Sequence, residues 1–308
     1  LFALIYTLDE EDDFTDPSVW IKANPSLDVT LPSSYLQKEL VQSQNYGGSM
    51  LVNFRTKHMN EWVSSSATWI TDDIVMKGQE DVEPKKTDKC WGGLDLASVS
   101  DITALSLVWP NEGGYITKSW FWIPEAAVDK RLKSSGSTIY QDFASLDNVF
   151  VTEGNVTDYD SMRRFVTGYH IKDGVVQYEK DCLATRYNIE SIAFDRFNSS
   201  QCVINLASDG LKLEPYGQGF VSMSTPSKEI ERLMCEGKIQ HGCDPVMRWM
   251  FGNVVLKRDP SGNQKPDKEK SGDKIDGVVS LIMAIGQNLT EQAKPSNTIP
   301  DTYTIRTL

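Results

Sequence analysis

The 308-residue sequence contains no run of about 18 apolar residues, so no membrane-spanning helix is expected. Its opening, Leu1-Phe-Ala-Leu-Ile-Tyr6, is apolar but too short for a signal peptide and lacks a basic leader. With no initiating Met and a start inside a strand-like run, Leu1 reads as the cut edge of a longer chain. The five cysteines, Cys90, Cys182, Cys202, Cys235 and Cys243, are odd in number and form neither a CxxC pair nor a Cys/His zinc spacing. That usage fits a reduced, intracellular protein. His58, His170 and His241 are scattered, which leaves little support for a His-based metal site or a Ser/His/Asp triad. Positive charge is also short: 31 Lys and Arg face 43 Asp and Glu, a balance of −12 that excludes a surface coated for phosphate binding. Residues 1–80 alone carry −7 of it, so any nucleic-acid contact must use a local cleft in the later part.

What is present suffices for a core: 40% of residues are hydrophobic and eight are Trp, enough for one or two domains. Residues 1–64 hold an apolar strand (Leu1 to Leu8), the acidic run Asp9 to Asp13 as a solvated face, and Pro-interrupted segments. Helices follow from about Tyr35 to Ser43, with Ser34 as cap, and near Met50 to His58. With few signs of its own core, this part reads as the tail of a preceding domain plus a linker, and residues 65–308 as the main domain.

From Cys90 the pattern becomes three strands with short turns, Cys90 to Leu96, Thr103 to Pro110 and Gly114 to Ile123, an antiparallel meander. A helix (Ala126 to Ser134), a loop and short strand (Tyr140 to Asn155), and helices over Asp158 to Asp173 and Gln177 to Tyr187 come next. The strand Ile189 to Phe194 ends on Asp195, and a helix from Ser199 to Asp209 stops at Gly210. The strand Leu211 to Tyr216 precedes helices from Thr225 to Gly237 and Val246 to Gly252. A hairpin pairs Val254 to Asp259 with Gln264 to Lys268, and an almost wholly apolar helix begins at Asp276. The tail from Thr290 is polar.

An acid inside an apolar strand costs several kcal/mol unless compensated, so Asp95 requires a cation, a donor or a proton beside it. Asp195 closes a later strand, at the end where functional groups collect in open α/β sheets. Asp276 opens a helix that must pack on the sheet, although an Asp there is more often a cap than a ligand. Together, a strand acid, a strand-tip acid and a helix acid are the donor set that two Mg²⁺ or Mn²⁺ ions about 4 Å apart require. Asp273 fits a fourth ligand or a loop charge equally well, and Asp101 reads as a turn former or supporting group. The hairpin carries Lys257, Arg258, Lys265, Lys268 and Lys270; it is either a solvated hairpin or a phosphate-contacting flap, with Lys257, Arg258 and Lys265 as the contacts.

Several segments, in order along nearly the whole chain, resemble the large terminase subunit of tailed bacteriophages. They are Leu4-Ile-Tyr-Thr-Leu-Asp-Glu-Glu-Asp-Asp13, Asp16-Pro-Ser-Val-Trp-Ile-Lys-Ala-Asn-Pro25, Gly93-Leu-Asp-Leu-Ala-Ser98 with Asp101-Ile-Thr-Ala-Leu105, Gly217-Gln-Gly-Phe-Val-Ser-Met223 and Lys274-Ile-Asp-Gly-Val-Val-Ser-Leu-Ile-Met-Ala284. The resemblance implies a packaging ATPase joined to a nuclease of α/β, ribonuclease H-like fold, a mixed sheet flanked by helices, here preceded by a mainly helical linker segment. It implies Asp95, Asp195 and Asp276 as the acids of a two-metal site, double-stranded DNA as substrate, the small terminase subunit and portal protein as partners, and the host-cell cytoplasm as location. The chain departs from the family in lacking Gly-x-x-x-x-Gly-Lys-Ser/Thr. The expected activity is therefore metal-dependent cutting of concatemeric viral DNA without ATP hydrolysis, with residues 1–64 similar to the end of the ATPase domain and its linker. Two other readings stand beside it. One is a non-catalytic assembly piece of the packaging motor. The other is an actin-like or sugar-kinase-like phosphotransferase, which needs a Gly-rich hairpin after the acid, whereas Gly92-Gly93 precede it.

Overall fold

The computed structural model describes residues 4–46, 54–62, 69–96, 101–135, 137–196, 200–271 and 273–294. The expected turn from Ala97 and the beginning of the Met50 helix fall outside these residues, as does most of the tail.

Residues 4–62 differ from expectation in two ways. The stretch 4–8 forms no strand; the side chain of Asn60 donates to the Tyr6 carbonyl (2.9 Å) and Thr7 Oγ1 to the Asn60 carbonyl (3.1 Å), in place of a neighbouring ladder. The segment also has a core of its own, in which Leu8, Trp20, Leu36, Leu40, Phe54 and Met59 bury one another. Trp20 makes this possible, because its indole N–H reaches the Phe14 carbonyl (2.9 Å) and the ring can be buried without an orphaned donor. A helix runs over Ser33–Tyr46, and residues 54–58 are helical.

The main sheet has the strands β1 (Lys89–Asp95), β2 (Thr103–Asn111), β3 (Gly114–Pro124) and β4 (Val149–Thr152). A separate hairpin, β5 (Tyr169–Lys172) and β6 (Val175–Tyr178), follows. The sheet resumes with β7 (Asn188–Asp195), β8 (Leu213–Tyr216) and β9 (Ile239–Gln240), and a second hairpin comprises β10 (Leu256–Arg258) and β11 (Gln264–Pro266). The spatial order is β4-β3-β2-β1-β7-β8, with β9 on β3. β1, β2 and β3 form the expected antiparallel meander, while β1, β7 and β8 run parallel. Parallel strands need crossovers, supplied by the helices of 159–186 before β7 and by the helix Ser200–Ser208 before β8.

Each face of the sheet is covered. On one, Leu94, Leu105, Trp122 and Ile192 meet Met162 and Val166 of the helix Tyr159–Thr167 and Leu206 of Ser200–Ser208. On the other lies the helix Asp276–Gln292, with Val278, Val279 and Ile282 against Ala104, Val108, Phe121 and Ala193. Its approach to β1 is close enough that a Cβ on Gly93 would stand 1.9 Å from the Ser280 carbonyl oxygen, which explains the glycine. Ser280 Oγ bonds Ser106 Oγ (2.7 Å), which bonds Ser119 Oγ (2.8 Å), so the small polar residues in this contact are satisfied.

Three local expectations are corrected. The helix from Asp158 ends at Thr167 because Gly168 takes a left-handed conformation (φ 79°), and β5 and β6 stand where helix was expected to continue. The turn Asp173-Gly174, both at positive φ, closes this hairpin. The helix expected from Thr225 begins at Phe220, so that Pro226 lies inside it. The carbonyl that Pro226 cannot bond, that of Ser222, accepts the Tyr216 hydroxyl instead (2.8 Å).

Candidate active site

β1 and β7 run side by side in register, and Leu94 faces Phe194 as their last paired residues, so the two strands end together on Asp95 and Asp195. Strand alternation puts both acids on the face of the preceding Gly93 and Ala193, the face that carries the helix Asp276–Gln292. Asp276 is that helix's first residue, and the close packing allowed by Gly93 brings it to the end of β1. Asp95 is 3% exposed and Asp276 8%.

The ammonium of Lys268 stands between Asp95 and Asp276. Lys268 Nζ lies 2.7 Å from Asp95 Oδ2 and 3.3 Å from Asp276 Oδ1, and the Gln218 side-chain amide donates to Asp95 Oδ1 (3.0 Å). Asp276 Oδ2 is buried and has no hydrogen-bond partner among the described residues. Burial, and after it the charge of Asp95, pushes the Asp276 carboxyl up to about 7, against the pull of Lys268. Burial alone would lower the Lys268 ammonium, but the two carboxylates outweigh it and hold it above its usual value.

An open pocket of about 230 Å³ adjoins this group, lined among others by Gln218, Lys257, Lys265 and Lys268. Lys257 and Lys265 are direct cross-strand partners in the hairpin, and Lys265 Nζ is tied to the Gln218 carbonyl (3.0 Å). Like charges opposite each other destabilise a hairpin unless an anion lies between them. Arg258, on the same strand, is exposed and does not line the pocket.

The other anticipated residues lie around this group. Asp273 is held by the guanidinium of Arg131 through two bonds, one of 2.8 Å, and Arg131 is itself set over the rings of Tyr140 and Trp249. Its carboxyl is thereby kept below the usual range in spite of burial. Asp101 pairs with Lys274 Nζ (2.7 Å) and accepts the Ile102 N–H (2.8 Å), a supporting position. Asp195 is half-buried at the end of β7, and among the described residues no three Asp, Glu, His or Cys side chains stand together as a metal cage. Sequence reading missed Gln218 and the role of Lys268. Gln218 had a signal, since it lies in the turn Gly217-Gln-Gly219 just past the carboxyl end of a parallel strand.

Chemically, the group offers hard carboxylate oxygens from separate elements, one of them unpartnered, in a buried position where a second positive charge would offset their repulsion. That donor set fits a divalent Mg²⁺ or Mn²⁺. The lysine-lined pocket fits a phosphate.

The sequence matches the family described as terminase large subunit, endonuclease domain, over residues 1–292. It is 29% identical over 298 residues to the terminase large subunit of Enterobacteria phage HK97, covering 94% of this chain and 55% of that protein. It is also 29% identical over 327 residues to Protein YmfN of Escherichia coli (strain K12), covering 100% of this chain and 68% of that one. The crystal structure of the HK97 large terminase aligns with a TM-score of 0.62 at 25% identity, over 92% of this chain and 56% of the other. The mixed sheet flanked by helices is accordingly the ribonuclease H-like fold expected from sequence. The chain spans little more than half the length of the phage protein.

Proposed function

Because the chain belongs to the terminase large subunit endonuclease-domain family, we propose that it is a metal-dependent endonuclease that cuts concatemeric double-stranded DNA during genome packaging. Asp95, Asp195 and Asp276 would hold two Mg²⁺ or Mn²⁺ ions. When bound, such ions supply the Lewis acidity that lowers the pKa of an attacking water and offsets charge on the leaving oxygen. The products are a 5′-phosphate and a 3′-hydroxyl.

The chain's own residues do the rest. The Gln218 amide fixes the orientation of the Asp95 carboxylate. Lys257 and Lys265 take the DNA phosphate in the pocket, with Arg258 on the outer face of the same hairpin. Arg131 neutralises Asp273, which steadies the turn leading into the Asp276 helix and makes Asp273 a positioning group in this reading. Contacts to phosphate position DNA without reading its sequence, so cleavage has little sequence preference in this reading. Residues 1–64 correspond to the end of the ATPase domain and linker, and residues 65–308 to the nuclease. The small terminase subunit and portal protein are the partners, in the host-cell cytoplasm. No helix among the described residues is long and apolar enough to cross a membrane.

The observation that carries this reading is the meeting of two buried carboxylates from separate elements at the carboxyl end of the sheet, beside a lysine-lined pocket. The Lys268 bridge favours a second reading, in which the acids form a structural ion pair in a non-catalytic piece of the motor. Incubating the chain with supercoiled plasmid and Mn²⁺ decides between them. Nicking that disappears in Asp95→Ala and Asp276→Ala supports the nuclease; nicking without metal, or none, removes it.

A further inference from the structure

Lys268 follows β11 in a turn whose backbone is pinned. Asp267 N donates to the Val255 carbonyl (2.8 Å), and Ser271 returns its N–H (2.9 Å) and hydroxyl (2.8 Å) to the Asp267 carbonyl. The stem therefore starts from a fixed point, while the side chain is 46% exposed and its ammonium ends between two nearly buried carboxylates. Among the described residues Lys268 is the positive charge that faces both acids, and Asp276 Oδ2 has no hydrogen-bond partner among them. Two of the neighbouring cations are committed to other acids, Lys274 to Asp101 and Arg131 to Asp273. The pocket lined by Gln218, Lys257 and Lys265 opens beside the ammonium, so it can leave the acids by side-chain rotation with no backbone movement.

We infer that Lys268 is an internal counter-ion that occupies the cation position between Asp95 and Asp276 and has to withdraw into the pocket before a divalent ion enters. This rests on the nuclease reading of the same acids. The lysine holds the acid pair together before loading and competes with the metal, so it sets the ion concentration at which the site fills. Withdrawn, its ammonium joins Lys257 and Lys265 on the side where a phosphate would bind, which orders metal entry before DNA.

The test is a calorimetric titration of Mn²⁺ into the full chain and into Lys268→Met and Lys268→Arg. Removing the competitor should tighten Mn²⁺ binding about tenfold or more in Lys268→Met, the scale of one charge-assisted hydrogen bond, and Lys268→Arg should stay near wild type. The metal-free Lys268→Met chain should melt earlier than wild type, and Mn²⁺ should raise its melting temperature by more than it raises that of wild type. Equal Mn²⁺ affinity in wild type and Lys268→Met overturns the inference and leaves the nuclease reading intact. No Mn²⁺ binding to either overturns both. A Mn²⁺-soaked crystal of the wild-type chain needs no variant: Nζ is expected away from both carboxylates, and an ion bound at Asp95 and Asp276 with Lys268 still bridging them refutes the competition.

Discussion

Asp209, just after the helix Ser200–Ser208, and Asp276, at the start of the helix Asp276–Gln292, are both withdrawn from solvent, yet the fold surrounds them in opposite ways. The Asp209 side chain is fully buried and accepts four bonds, from Arg163 Nε (2.6 Å) and Nη2 (2.7 Å), Thr167 Oγ1 (2.9 Å) and the Tyr178 hydroxyl (2.8 Å). The Arg163 guanidinium in turn lies on the Tyr169 ring. Burial works to raise this carboxyl, but the bonds from Arg163, Tyr178 and Thr167 prevail and hold it below its ordinary value. Asp276 has one long bond, an unpartnered oxygen and a second acid nearby, and its carboxyl is pushed up to about 7 by burial and by Asp95. A buried acid with every lone pair satisfied ties helix to hairpin; one left short of donors is the position that the proposed metal site requires.

The contrast can be broken most severely at Asp209. Asp209→Ala strands the Arg163 guanidinium and should cost about 3–5 kcal/mol in denaturant unfolding, with nicking per folded molecule unchanged; a cost below about 1 kcal/mol would place the pair among ordinary surface bridges. Acid should erase the same contribution. Asp209 ionises more readily in the folded chain than its ordinary value of 3.8, so its stabilisation is complete above that pH and lost as pH falls through the lowered folded value. The stability gap between wild type and Asp209→Asn should therefore shrink progressively below pH 3.8, as urea melts at stepped pH would show. At Asp276 the sign reverses: Asp276→Asn should gain about 1 kcal/mol of stability while losing nicking, and a destabilised variant would make Asp276 a structural acid like Asp209. The smallest effect is at the hairpin. Replacing Lys257, Arg258 and Lys265 with Ala should lower DNA cleavage a few-fold and flatten the log–log salt dependence by at most about 0.9 for each DNA phosphate no longer neutralised; unchanged cleavage returns the hairpin to a solvated loop.

Much of the frame around Asp95 was legible because it is written locally. β1 to β3 announce themselves by apolar runs and turns, and the Asp276 helix by its length and apolar content. The hairpin β5–β6 is less legible although Asp173-Gly174 marks its turn, because the amphipathic helix before it gives no sign of stopping until the left-handed Gly168. Pro226 masked the true helix start, since its tolerance depends on the Tyr216 hydroxyl, which no local rule foresees. The partners of the acids were the least legible. Gln218 and Lys268 are 123 and 173 residues from Asp95, and Arg131 is 142 from Asp273, so only the packed fold brings them together. Sequence reading could identify acids in need of a counter-charge. It could not say that Asp273 would find Arg131 and that Asp95 would find Lys268.

The most direct measurement is a calorimetric Mn²⁺ titration of the wild-type chain beside Asp95→Asn, which removes one acid and keeps its shape. Saturable Mn²⁺ binding in wild type that vanishes or weakens by at least about a hundredfold in Asp95→Asn is the predicted result, since even supporting residues of a metal site cost 10–100-fold. Identical binding curves for the two proteins would contradict the assignment of this buried acid pair as a metal site.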